Sequence, residues 1–436
     1  LGTLSGSTCN FALGTGYDGL NRPLRRSYSD GSTPEVSYSY DTCPFGKGRL
    51  CAVSNSDSST SYEYDSLGRV VRSTQSTGSQ AYIFGNATNP GYEYNPSGAL
   101  TKIRFPSGRV ITYAYDGANR IESATGTKGT VTTNYASAFQ YAPHGAITQM
   151  TLGNQLTETA EYNNRLQPTV IGGLKGGLLL GLFYDYGTTN NNGNVLVQAV
   201  LRAGVSWTQN YSYDPLNRLK TANESGAGAW SQTYVYDRYG NRALLAGSGQ
   251  FIPSALTPQV SSDNPSLVEG RFPGNRSDVG NHDNAGNILS FPLNGHAYTY
   301  DAENRMKTAT TPAGVTQYSY DGEGRRVKKG VGATTTTYVY DAQGSLAAEY
   351  GVANEGGVQY LTGDHLGSTR LVTDAWGVPA RCYDYLPFGE ELPANAFGRD
   401  GLFPTGLYPS GPDALSQKFT GKDRDPETGL DYFGAR

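Results

Sequence analysis

Asp364 and His365 stand side by side, the side-chain types a general base uses when a carboxylate orients an imidazole. Neighbouring strand residues point to opposite faces, and Gly367-Ser368 does not form a nucleophile elbow. The pair therefore reads as a packing or turn element. His144, His282 and His296 are far apart and lack the His-x-x-x-His spacing of a metal site. The many Tyr-Asp aspartates could be imagined as calcium ligands, but the Gly-Gly-x-Gly-x-Asp run of calcium-binding β-rolls is absent. The expectation is a chain with no catalytic residue, no metal and no cofactor. Of the cysteines Cys9, Cys43, Cys51 and Cys382, none form a Cys-x-x-Cys pair. Cys43 and Cys51 flank a Pro-Phe-Gly-Lys-Gly turn, so they could close a small hairpin loop or remain free thiols.

The aspartates matter for another reason. Nine times the chain reads Tyr-x-Tyr followed by Asp or Asn, with repeats about 20 to 24 residues apart where they are closest. The motif is carried by Tyr40-Asp41, Tyr64-Asp65, Tyr115-Asp116, Tyr213-Asp214, Tyr236-Asp237, Tyr300-Asp301, Tyr320-Asp321 and Tyr340-Asp341, with Tyr94-Asn95 as the asparagine variant. A Gly- or Asn-containing turn usually follows, and then Arg or an apolar residue, as in Asp65-Ser66-Leu67-Gly68-Arg69-Val70.

A period of that length holds two strands of ordinary size and two turns. Alternation places Tyr62 and Tyr64 on one face and Glu63 on the other. Asp accepts bonds from backbone N–H groups two residues on, and Gly or Asn tolerates positive φ, so Asp-x-x-Gly/Asn is the turn. Each unit is a β-hairpin, and the Arg of each turn is expected to pair with the Asp of its own or a neighbouring turn. One hairpin cannot bury its face alone, so units must pair edge to edge, stacking tyrosines across strands. The fold expected is all-β, a spiralling repeat of antiparallel hairpins forming an open barrel or partial hollow shell.

Composition agrees. The chain holds 57 Gly, enough for a turn after every short strand, and 33 Tyr against 14 Phe. Tyrosine covers apolar surface while keeping a polar tip for water, which suits a wetted sheet. A net charge of −4 with arginines dispersed one per turn gives no support for nucleic-acid binding. The most apolar run, residues 171–183, is too short and too interrupted to span a bilayer and reads as a buried strand or hairpin.

Residues 1–355 carry the hairpins. Residues 244–280 break the rhythm, are rich in Ser, Pro, Gly and Asn, and read as a long mobile surface insertion. Residues 356–436 change character. They contain Gly363-Asp364-His365-Leu366-Gly367-Ser368-Thr369-Arg370, Tyr385-Leu386-Pro387-Phe388-Gly389-Glu390 and Glu427-Thr428-Gly429-Leu430-Asp431-Tyr432-Phe433-Gly434-Ala435-Arg436.

Together with the repeats, this block resembles the RHS or YD-repeat family, and the terminal segment resembles the RHS-associated core. The resemblance implies a spiralling hairpin sheet that can close into a shell. It implies core positions at Asp364, His365, Gly367, Arg370, Pro387, Phe388, Gly389, Gly429, Gly434 and Arg436. The role it implies is a non-enzymatic scaffold that encloses or presents a polypeptide cargo, such as a C-terminal toxin domain, in a secreted or cell-surface setting. An alternative is a surface protein that binds glycans or a protein partner through exposed tyrosines and loops. A self-processing aspartyl protease would need a segment beyond Arg436, and the Asp425-Pro426 sequence inside the core reads as structural.

Overall fold

The protein is described by a computed structural model. It covers residues 16–202, 205–226, 229–247, 257–292, 294–351, 357–394, 407–409, 413 and 415–434, with the backbone of Thr3–Ser5 and Thr8–Asn10. About 51% of the described residues are in strands and 3% in helices. With the exception of Gln259–Val260, the described strands pair with their sequence neighbours in antiparallel register, as a chain of hairpins must. Contacts divide the chain into two units: residues 1–134, 296–354 and 432–436 in the first, residues 135–295 and 355–431 in the second. Residues 355–431 thus pack with the middle of the chain, although their motif differs from it.

In the first unit, Val36–Tyr40, Leu50–Ser54, Ser58–Tyr64, Val70–Thr77 and Gln80–Phe84 follow one another in a single sheet. His296–Tyr300, Met306–Thr311, Gly314–Tyr320, Arg326–Val331, Thr334–Tyr340 and Leu346–Tyr350 form a second run. The two runs are tied by side chains that reach backbone. Gln75 donates to the Tyr338 carbonyl (2.8 Å) and accepts from the Tyr340 N–H (3.0 Å). Phe84, Tyr92, Ile103 and Val339 fill the core beneath them.

In the second unit the run from Ile147–Leu152 through Arg242–Leu245 repeats the same hairpin order. The apolar stretch 171–183 belongs to the hairpin of Pro168–Leu174 and Leu178–Asp185. Alternation puts Leu180 and Leu182 at 0% exposure while Phe183 faces out at 40%. Strands Thr369–Thr373 and Pro379–Cys382 lay Leu371 and Cys382 on that inner face, against Leu152, Leu156, Leu180 and Trp207.

Three expectations are corrected. First, simple alternation fails at the second tyrosine of most repeats, though not at Tyr236. The register shifts at Glu63/Tyr64, Ala114/Tyr115, Ser212/Tyr213 and Ser319/Tyr320, a bulge that re-aims that side chain. Secondly, the ring of that tyrosine meets the arginine of the preceding turn at Tyr40, Tyr64, Tyr94, Tyr236, Tyr320 and Tyr340, where a tyrosine stack was expected. Thirdly, the 244–280 stretch is not a bare loop. Gln259–Val260 pairs in parallel with Arg242–Leu245, and a helix runs over Pro265–Arg271. Asn264 caps that helix by accepting from the Ser266 N–H, Pro265 starts it, and Val268 is fully buried beside Val235, Ala243 and Val260. One short apolar face inside a Ser- and Pro-rich run left no periodicity to read. Residues 248–256 of the stretch lie outside the described residues.

Cys43 and Cys51 form a disulfide, with Cα atoms 5.5 Å apart. Among the described residues no helix is long and apolar enough to cross a membrane.

Candidate functional site

The repeated motif builds one local device. Asp65 Oδ1 accepts from the N–H groups of Leu67 and Arg69, both at 2.9 Å, and Oδ2 accepts from Arg69 Nε at 2.7 Å. The Gly68 N–H closes the turn on the Asp65 carbonyl at 2.9 Å, and its φ of 82° is the left-handed value that glycine adopts without cost. The same carboxylate–arginine pairing occurs at Asp116–Arg120, Asp214–Arg218, Asp301–Arg305 and Asp321–Arg325. Asp237 pairs instead with the Asn241 side chain (2.7 Å), and Asp341 bonds the N–H groups of Gln343 and Ser345. Asp41 departs furthest. It accepts from Gly48 N–H at 2.6 Å and from Arg22 of the turn before it.

Several of these turns are then locked to the next hairpin. The Arg305 guanidinium lies 4.8 Å from the centre of the Tyr320 ring, Arg325 5.0 Å from Tyr340, and Arg218 4.4 Å from Tyr236. The hydroxyl of the same tyrosine donates to a carbonyl on the neighbouring strand. Tyr320 reaches Met306 at 2.7 Å, Tyr340 reaches Arg326 at 2.8 Å, and Tyr236 reaches Leu219 at 2.8 Å. Tyr64, Tyr115 and Tyr213 do the same toward Leu50, Leu100 and Val195. Asp, Arg and Tyr thus act in series. The carboxylate orients the guanidinium, the guanidinium covers the ring, and the ring's hydroxyl satisfies the strand it crosses. Cation–π contacts of this kind contribute about 0.5–2 kcal/mol, more when water is excluded. Tyr300 sits at the same bulge, opposite Met306.

The terminal block holds a buried charge cluster. Asp384, at 0% exposure, takes Arg370 Nη2 at 2.6 Å and Arg202 Nη2 at 3.3 Å on one oxygen, and the Tyr408 hydroxyl at 2.8 Å on the other. Arg202 also donates to the carbonyls of Arg370 and Tyr383, both at 3.0 Å. Burial works against charge on both arginines, but Asp384 together with Tyr408 and Cys382 at Arg202, and with Asp364 and Tyr184 at Arg370, holds both above the ordinary guanidinium range. Sequence reasoning singled out Arg370 and missed Arg202, Asp384 and Tyr408. Nothing local marks Arg202, a lone arginine ending the strand Val197–Arg202.

The Asp364–His365 pair is not an acid–base dyad. Asp364 accepts from the N–H groups of Leu366 (3.0 Å) and Ser368 (2.9 Å) and lies 3.6 Å from Arg370. The His365 ring packs edge-on to Tyr184, with centroids 4.5 Å apart, and burial lowers its pKa below the usual imidazole value. Gly367 closes the Asp364 turn. Phe388, after Pro387, sits 3.4 Å under the Arg242 guanidinium and against Tyr234. Gly389 has φ of 102°, and a Cβ there would lie 2.6 Å from the Phe419 ring, so only glycine fits. Gly429 bonds the Asp425 carbonyl, Gly434 stands beyond the exposed Phe433, and Arg436 lies outside the described residues. Among the described residues no group of three His, Cys, Asp or Glu side chains is placed to hold a metal.

The profile described as RHS Repeat matches residues 94–131 and 300–333. No curated protein matches the chain in sequence. Among solved structures, TcdB2-TccC3 without its hypervariable C-terminal region is similar over 96% of this chain, at 14% identity and a TM-score of 0.61. The Photorhabdus luminescens Tc holotoxin pore is similar over 96%, at 15% identity and a TM-score of 0.60. In both cases this chain spans 25% of the larger one. At that identity the likeness is one of fold.

Proposed function

We propose that this RHS/YD-repeat protein is a non-enzymatic wall, a run of clamped hairpins that encloses or presents a polypeptide such as a C-terminal toxin domain. The observation that carries the reading is the serial Asp–Arg–Tyr clamp. The side chains with the most chemical potential in the repeats spend it on turns and on neighbouring strands. In this reading residues 1–355 supply the hairpin array and residues 356–436 the core that finishes it. The Cys43–Cys51 disulfide favours an oxidising compartment, which supports a secreted or cell-surface setting.

Protease protection tests it. In its natural full-length context the protein should shelter a defined polypeptide from added protease in native buffer and release it to digestion once denaturant opens the wall. Uniform digestion in native buffer overturns the proposal. A second reading, recognition of a glycan, is favoured by one polar cavity in the first unit.

A further inference from the structure

A cavity of about 370 Å³ lies in the first unit, with Asp57 in one wall and Lys307, Gln317 and Tyr320 in the other. Two bonds fix those walls. The Ala302 N–H donates to Thr33 Oγ1 and Asn55 Nδ2 donates to the Tyr320 carbonyl, both at 2.8 Å. The site is therefore formed before anything enters it.

Asp57 is the anomaly. Turn aspartates such as Asp65 and Asp321 use their carboxylates on their own turns. The Asp57 turn is held by a different residue, Asn55, whose side-chain oxygen accepts from the N–H groups of Asp57 (2.9 Å) and Ser58 (2.8 Å). The Asp57 carboxylate is half-buried and makes no hydrogen bond or ion pair with any described residue. Burial raises its pKa even though Lys328, Lys307 and Arg305 pull it down. That carboxylate is therefore a free acceptor at the cavity wall, open to a ligand hydroxyl.

The charges around it choose the ligand class. Asp301 and Arg305 also line the cavity but are engaged with each other at 2.7 Å. What remains is one acceptor carboxylate, one donor ammonium on Lys307, the Gln317 amide and serine hydroxyls. That set has no net charge and offers donors and acceptors together. A hydroxyl group both donates and accepts, so a neutral polyol satisfies it, whereas an ion of either sign meets one repulsive charge. The volume sits at the lower end of the range of about 300–1,000 Å³ for small-molecule sites.

We propose that this cavity is a saccharide-binding subsite, in which Asp57 accepts from sugar hydroxyls and Lys307 and Gln317 donate to them. The proposal deepens the glycan-recognition reading and is independent of enclosure, since sugar binding and protease protection can each fail while the other holds.

Saturation-transfer NMR on the intact chain tests it, with glucose, galactose, mannose and N-acetylglucosamine as probes and glycine and free lysine as zwitterionic competitors. At least one sugar should bind. Asp57→Asn should weaken it by about tenfold or more, as loss of a charge-assisted bond does, and Lys128→Met, at an exposed lysine outside the cavity, should not. Gln317 is exposed, so Gln317→Ala tests the same site should Asp57→Asn fail to fold. Binding of no sugar, binding of the zwitterions alone, or equal sugar affinity in the wild type and the cavity variants overturns the assignment.

Discussion

The Tyr320 hydroxyl donates to the Met306 carbonyl at 2.7 Å while the Arg305 guanidinium covers the Tyr320 ring at 4.8 Å. Two adjacent residues of one hairpin therefore hold opposite ends of one side chain of the next. The same two-ended hold recurs at Tyr236 and Tyr340, so the packing ties these hairpins to their sequence neighbours.

Tyr320→Ala should cost about 3–5 kcal/mol, the usual loss for a buried aromatic, since Tyr320 is 8% exposed. Tyr320→Phe keeps the ring and orphans the Met306 carbonyl, so about 1–3 kcal/mol is expected. Ser319→Ala, at a half-buried position beside it, should stay within about 0.5 kcal/mol. Denaturant titration ranks the three. Equal effects would show that the clamp is not what holds the hairpins.

The aspartate turns predict acid sensitivity. The Arg22 guanidinium holds Asp41 down at about 2, and backbone N–H bonding from Arg120 lowers Asp116. Depressed carboxylates contribute stability that is complete above the unfolded value of about 3.9 and lost as pH falls toward 2. The melting temperature should stay level from pH 7 to about 5 and fall below about 4. A rise below pH 4 would contradict the assignment.

Buried tyrosines predict the opposite limb. Burial pushes Tyr62 up to about 12, with Glu323 adding to it. A raised phenol contributes stability that is complete below the unfolded value of about 10 and lost as pH climbs toward 12. Tyrosinate absorbance at alkaline pH should rise in a cooperative step together with loss of strand signal. A smooth titration centred at 10 for all tyrosines would show that the rings are not buried.

Asp384→Ala would leave Arg202 and Arg370 facing each other without their shared carboxylate. Breaking a buried pair costs about 3–5 kcal/mol. Thermal unfolding should reveal a drop of that size, and Asp374→Ala, on an exposed turn, a much smaller one. Similar melting temperatures for the two variants would remove the cluster from the fold's supports.

Cys43 and Cys51 should resist iodoacetamide without reductant and label after reduction, with a stability loss of about 2–4 kcal/mol for closing so short a loop. Labelling of both in the unreduced protein would refute the bond.

The hairpin was legible because its causes lie within a few residues. Period-two tyrosines make a strand, Asp65 bonds N–H groups two and four positions on, and Gly68 takes the positive φ. The Asp–Arg pairing follows from the same spacing. What the sequence could not show lies across long separations. No local rule joins Arg202 to Asp384 and Tyr408, or Thr33 to Ala302, because those partners meet only after the sheets pack. The bulge at the second tyrosine was hidden too. Alternation alone puts Tyr62 and Tyr64 on one face, and only the paired strand, where Tyr64 stands opposite Val70, reveals the extra residue that turns Tyr64 toward Leu50. Local physics wrote the repeat, and tertiary packing decided which of its charges would be buried, paired or left facing a cavity.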